Sequence, residues 1–446
     1  MLKWPLPCLV PDHLLSGYLP AFGSLDECVC INEVRTLVGT LRTGGPGTVG
    51  AAEALSSLAA SHKGKVEIAN ANGIPALVGL LATGTELAKS HTAEALRHLA
   101  ENDRNKDSIR EENGIPALVG LLTTGTELAK SHTAEALRHL AEHDRNKDSI
   151  REVNGIPALV GLLTTGTVET KSTAAWALGI LAQNDQNKDS IRAANGIPAL
   201  VVLLSTGAEN AKSTAAWALG NLADNDQNKD SIREMNGIPA LVGLLTTGTE
   251  NTKSTAAWAL GNLAENDRNK DSIREANGIP ALVGLLTTGT DNAKNNAAWA
   301  LRNLAGNNDR NKDSIREING IPALVGLLTT STAETRSNAA WALGILAESN
   351  KWNKDSIREA NGIPALVGLL TTGTENAKNN AAWALWNLAE NNDRNKDSVR
   401  EANGIRALTG LLTTGTENTK NNIPALVGLL TTGTENAKSN AAWALR

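Results

Sequence analysis

The chain has 446 residues, more than one hydrophobic core serves, since cores stop growing beyond about 250–300 residues. Its net charge is −5, with acids and bases interspersed and no basic stripe, which argues against nucleic acid or an anionic membrane as partner. Apolar content is an ordinary 41%, yet with one Phe, one Tyr and two Met the core must be built from Leu, Ile, Val and Ala.

Residues 1–31 differ in character from the remainder of the chain. All three cysteines (Cys8, Cys28, Cys30) fall there, so disulfides do not hold residues 32–446, which fits a reducing compartment. The opening Met-Leu-Lys-Trp-Pro-Leu-Pro is a poor secretory signal because prolines interrupt its apolar part, and Leu2 excludes N-myristoylation. The apolar GIPALVGLL stretches are about half the length of a membrane span. The expectation is a cytoplasmic protein, with the nucleus left open and no membrane insertion.

From residue 32 the sequence restarts the same sentence ten times, at Asn32, Asn72, Asn113, Asn154, Asn195, Asn236, Asn277, Asn319, Asn361 and Asn403. The spacings are 40, then 41 five times, then 42 three times. A fixed period near forty residues means stacked units, each burying its apolar face against its neighbours. Nine repeats are assigned to 32–402 and an irregular, truncated remainder to 403–446.

In the unit at Asn277, Gly278 is expected to be a left-handed C-cap and Pro280 to open a helix at its first turn. That helix carries Ile279, Leu282, Val283, Leu285 and Leu286 and should be the buried one. Thr290 then caps the next helix, with Asp291 at the positive end of its dipole. This longer helix, to about Gly306, has the core stripe Ala297, Ala300, Leu301, Leu304 and Ala305. A short helix from Lys312 to Ile318 comes next and buries mainly Ile315.

Three helices per unit, in short-long-long order, resemble the armadillo repeat. The residues that carry the likeness are NKDSIREANG for the first helix, GIPALVGLL for the second and AAWALxNLA for the third. The linker style is similar to that of vacuolar and plant U-box armadillo proteins, and the Trp-x-x-x-Asn pair to that of the nuclear-import adaptors. The resemblance implies an all-α fold, a right-handed α-solenoid of tandem three-helix armadillo repeats. It also implies a non-enzymatic scaffold that binds a protein or peptide ligand in extended conformation.

At about 100° per residue, the third-helix Trp lies roughly opposite the Ala/Leu stripe, with the Asn four residues on about 40° from it. The column is Trp176, Trp217, Trp258, Trp299, Trp341 and Trp383, with Asn221, Asn262, Asn303 and Asn387 beside it. Asp224, Glu265, Glu348 and Glu390 form a third row. Asn offers both donor and acceptor to a ligand backbone, and slots between indoles suit aliphatic stems or a cationic head. Import adaptors often carry an acid one turn before the Trp; here that place holds Thr173, Thr214, Thr255, Asn296, Asn338 and Asn380, which weakens selection for Lys or Arg. The other expectation is that each Trp packs against the third helix of its neighbour. The mid-helix glycines Gly220, Gly261 and Gly344 face away from the core stripe, so Ala there should stabilise.

The first units replace the Trp with Glu53, Glu94 and Glu135, flanked by Ser57, His98 and His139. His91, Glu94 and His98 share a face, but i and i+7 lie about 10 Å apart along the helix, too far for one metal ion. Glu94, His98, Glu135 and His139 are instead read as a secondary polar segment for a more polar or basic stretch of ligand.

Residues 405–423 are too few for a full repeat, and the sequence given stops at AAWALR within a third helix. No Gly-rich phosphate loop, nucleophile elbow or convergent acid–base pair occurs, so no catalytic residue, metal, cofactor or small-molecule substrate is assigned. Two alternatives stay open. Pro11-Asp12-His13-Leu14-Leu15 with Tyr18-Leu19-Pro20 is similar to the start of an F-box, which would make the chain a substrate-recognition adaptor of a ubiquitin ligase. A nuclear-import-adaptor-like binder of basic peptides is the other, although no Lys/Arg-rich arm is present.

Overall fold

A computed structural model of the chain describes residues 31–414, with side chains to 411. The expected F-box-like segment and the truncated repeats after 414 lie outside the described residues. Every regular element described is a helix, and none is long and apolar enough to cross a membrane alone. The chain divides into two compact units, one ending at Gly114 and one beginning at Ile115.

The first unit opens with helices Ile31–Thr43 and Thr48–Ala59, then runs through a full triplet, His62–Asn70, Gly73–Thr83 and Glu86–Leu99, to Asp103–Glu111. Val38, Leu55, Ile68, Leu77, Leu96 and Ile109 form its core. In the second unit the triplet recurs without interruption, for example Asp267–Glu275, Gly278–Thr288 and Asp291–Ala305. The short-long-long reading holds, except that the short helix expected at Lys312 begins at Asp309.

The turn between first and second helices reverses one expectation. Asn277, not Gly278, is left-handed, with φ 60°, and Gly278 is already helical. Asn tolerates this region because its short polar side chain can bond locally. Gly278 is required for a different reason: a Cβ there would stand 2.5 Å from Ile273 Cγ2 and 2.8 Å from Ile273 O. The same Asn is left-handed at 72, 113, 154, 195, 236, 319, 361 and 403. Thr290 caps the third helix as expected, accepting from the Ala293 N–H at 3.3 Å.

The shift from a 41- to a 42-residue period also has a structural cause. Third helices of the later repeats gain a residue, as in Asp291–Ala305 against Glu250–Leu263. Each extended helix is then turned off by a left-handed Asn307, Ser349 or Asn391. The insertion is absorbed between third and first helices, so the core stripe keeps its phase.

The NKDSI motif proves to be more than a linker. Its Asn is fully buried at 187, 228, 269, 311, 353 and 395, and its Lys is nearly so at 188, 229, 270, 312 and 354. Asn311 Nδ2 donates to Leu304 O at 3.0 Å and to Lys270 O in the preceding repeat at 3.4 Å. Its Oδ1 accepts from Arg274 Nη1 at 3.0 Å, again across the repeat boundary. Lys270 pairs with Asp267 at 2.7 Å and reaches forward to Gly306 O, also at 2.7 Å. Burying Asn311 and Lys270 is tolerable because each finds partners. The result is a polar ladder that ties first helices together.

Removing one such partner should therefore be costly. Asn311→Ala removes the donor to the Leu304 and Lys270 carbonyls and one acceptor of Arg274, which keeps Asp271, so a loss of about 1–3 kcal/mol is expected. Asp309→Ala, at a side chain 84% exposed, should stay within about 0.5 kcal/mol. Urea titration, with hydrogen exchange of the Gly278–Thr288 amides as local probe, separates the two; equal losses would show that the ladder carries no stability.

Candidate functional site

The six indoles of the Trp column stand on successive third helices of the second unit, from Val168–Leu181 to Glu375–Ala389. Four of them lie on a glycine of the preceding third helix. A Cβ at Gly179 would come within 2.4 Å of Trp217 Cζ3; for Gly220 and Trp258 the distance is 2.2 Å, and for Gly261 and Trp299 it is 2.3 Å. Gly344 and Trp383 repeat the arrangement at 2.5 Å. The expectation that Ala would stabilise at these glycines is thus overturned. Absence of a Cβ lets the next indole rest on the helix backbone.

The Asn column locks the same contact. Asn221 Nδ2 donates to Gly179 O at 3.0 Å, Asn262 to Gly220 O at 2.9 Å, Asn303 to Gly261 O at 2.9 Å and Asn387 to Gly344 O at 3.0 Å. Each helical glycine carbonyl thereby gains a partner one repeat further on. One N–H of each amide is committed to this bond, and at Asn303 the Oδ1 is also taken, by Arg302. One turn earlier, Asn296 and Asn380 donate to the Ser254 and Ser337 carbonyls at 2.9 and 3.1 Å, so that row too links neighbouring repeats.

Two rungs depart from the glycine pattern. Where the others have Gly, one has Arg138, with its guanidinium 4.4 Å from the Trp176 ring centroid. Another has Arg302, 4.1 Å from Trp341 and 5.9 Å from Trp299. Trp176 and Trp341 are 45% and 40% exposed, whereas Trp217, Trp258, Trp299 and Trp383 on glycine are half-buried. An Arg side chain lifts the indole toward solvent; Gly lets it sink. Burial lowers the pKa of Arg302, with Glu265 acting against the shift.

The acidic row is largely engaged within the protein. Asp224 pairs with Lys188 at 3.4 Å and Glu265 with Lys229 at 3.2 Å. At 348 and 390 the backbone carbonyl, not the side chain, accepts from Lys312 and Lys354. Burial lowers the Lys354 pKa, with Glu390 opposing. The expectation that this row reads ligand cations is not what these pairings favour.

In the first unit His91 and Glu94 are 3.8 Å apart, and His98 lies between Arg97 and Glu101 at 2.7 and 3.3 Å. Arg97 can only donate, so His98 Nε2 accepts and Nδ1–H faces Glu101. Burial first, then Arg97, lowers the His98 pKa below its ordinary 6.5. In the second unit His139 meets Arg138 at 2.6 Å and Glu142 at 3.6 Å. Glu135 stands at the Trp position on the same helix, Glu127–Leu140. Among the described residues no three His, Cys, Asp or Glu side chains converge as a metal site requires.

Sequence reasoning missed Arg138 and Arg302. The available signal was a helix-disfavoured residue, Gly, three positions after four of the six column Trp residues, with Arg302 and Trp386 after the other two and Arg138 at the same place after Glu135. It also missed the buried Asn-Lys pair of the first helix, whose signal was its recurrence in every central repeat.

The armadillo/beta-catenin-like repeat model matches residues 102–142, 143–183, 184–224, 225–265, 266–306, 308–348 and 349–390. A crystal structure of an engineered protein from the Northeast Structural Genomics Consortium is similar with a TM-score of 0.85 and 30% identity, covering 90% of this chain and 100% of that one. No curated protein matches.

Two outcomes are expected. Gly261→Ala should destabilise although Ala is the better helix former, while Gly284→Ala, where nothing lies within 4 Å, should gain up to about 1 kcal/mol; thermal melts of both variants test this, and stabilisation by both would remove the indole contact. For His98, the fold holds the proton more weakly than the unfolded chain does. Its contribution to stability should be complete above pH 6.5 and be lost as pH falls below that value. An NMR titration of the ring with a midpoint above 6.5 would instead make Glu101 dominant.

Proposed function

As a chain that belongs to the armadillo-repeat family, whose members are in general protein-interaction scaffolds, this protein, we propose, holds an extended peptide or disordered segment along its Trp/Asn face. The observation that carries the reading is the row of six indoles, one per repeat, that keep part of each ring open to solvent although the core is Leu, Ile and Ala. Third helices stack about 8–10 Å apart, and two to three extended residues span about 7–10 Å, so ligand and rungs stay in step. Asn221 and Asn262, 9% and 7% exposed, offer a ligand backbone only the edge of their amides, while Asn387, at 2%, is buried. Trp176, Trp217, Trp258, Trp299, Trp341 and Trp383 supply the apolar walls.

The reading is of a binding protein, not an enzyme, placed in the cytoplasm. Basic peptides suit the face less well than they suit an import adaptor, because Asp224 and Glu265 already hold lysines of their own chain. Recruitment to a ubiquitin ligase would depend on residues 1–31 and leaves this face unchanged.

The most exposed rings give the cleanest test. Trp176→Ala with Trp341→Ala should cost a selected peptide at least about 2 kcal/mol of binding, as large aromatic anchors do. Its circular dichroism should match the wild type. Trp258→Ala with Trp299→Ala should weaken both binding and stability, since those rings rest on Gly220 and Gly261. Peptides selected from a displayed library against the full chain are the probe; equal affinity for the Trp176/Trp341 variant would overturn the reading.

A further inference from the structure

The slot between Trp299 and Trp341 is already filled by this chain. The Arg302 guanidinium lies against both rings, at 5.9 and 4.1 Å. Nε and Nη2 donate to Asn303 Oδ1 at 3.0 and 2.9 Å. A guanidinium has five N–H donors, so three remain without a protein partner. Nη1 has no protein partner and is not a buried atom, so its two N–H groups reach solvent. A cationic ligand side chain would meet a filled slot and a like charge. A ligand carboxylate would meet a rigid donor fork, held in place by two indoles and an amide.

We propose that Arg302 is a specificity-determining residue that converts the Trp341 rung from a cation-accepting slot into one that takes an acidic side chain of the bound peptide. The inference rests on the reading of the indole row as a peptide track, and it assigns one rung a charge preference opposite to that of a bare indole pair. At the same position Gly220, Gly261 and Gly344 leave the following ring on bare backbone, with no donor to offer. Burial lowers the Arg302 pKa while leaving the group a cation, consistent with a guanidinium withdrawn from bulk water by its two aromatic walls.

The test uses the full chain and two fluorescein-labelled decapeptides, alternating Glu-Ala and alternating Lys-Ala, in low salt. Because the whole protein is acidic, the ratio of the two affinities is read, not either affinity alone. Arg302→Gly reproduces the residue of the neighbouring rungs, and Arg302→Leu keeps bulk and helix propensity if the glycine variant folds poorly. Both should shift the ratio toward the Lys peptide by about tenfold, the scale of one charge-assisted bond. Arg302→Lys should retain most of the wild-type ratio. An unchanged ratio in both neutral variants, with helicity intact, overturns the role of Arg302 while leaving the peptide track standing. If neither peptide binds the wild type or any variant, the track itself fails and the inference with it.

Discussion

Everything in the second unit depends on how closely one third helix can approach the next. The core residues are small and aliphatic, and no disulfide can help because the array has no cysteine. At four of the six rungs the spacing is set by an indole laid on a glycine, with an asparagine amide bonded to that glycine's carbonyl. Mid-helix glycine normally weakens a helix; here it admits a large aromatic surface from the neighbour. The buried Asn-Lys ladder fixes the first helices in a comparable way. A repeat is thus held by two polar seams and an aliphatic core, and each seam crosses the boundary between units.

Much of this was legible in the sequence. Period, helix order and core stripe come from apolar spacing, and Thr290 reads as an N-cap because its chemistry is local. What escaped was anything that one repeat does for another. Gly261 looks like a weak point within its own helix, and only Trp299 of the next unit shows why Ala is excluded. Gly278 and Asn277 exchanged roles because of a contact between two helices of one triplet: Asn can adopt the left-handed turn, but only Gly fits against Ile273. Residues read as ligand contacts, such as Asp224 and Glu265, turned out to face a lysine contributed by the repeat before. A helical wheel describes one helix, and these are properties of pairs.

The same duality bears on recognition. On the proposed track, structure and binding would draw on the same side chains, since each ladder Asn gives one donor to the fold and four of the indoles one face to a neighbouring glycine. A ligand on that track would meet rings and amides whose rotamers are already set by packing, which lowers the ordering cost of association.

Gly and Arg both occur at a single third-helix position, three residues after the Trp or the Glu that replaces it, and codons for the two can lie one base apart. Repeats so alike in sequence also invite unequal crossing-over, which copies a unit together with whatever that position holds. A charged rung could in this way be created, erased or moved along the array in one genetic event, with no new fold to be found. The recognition code of such a protein would be edited as text is edited, by changing a letter or by pasting a line.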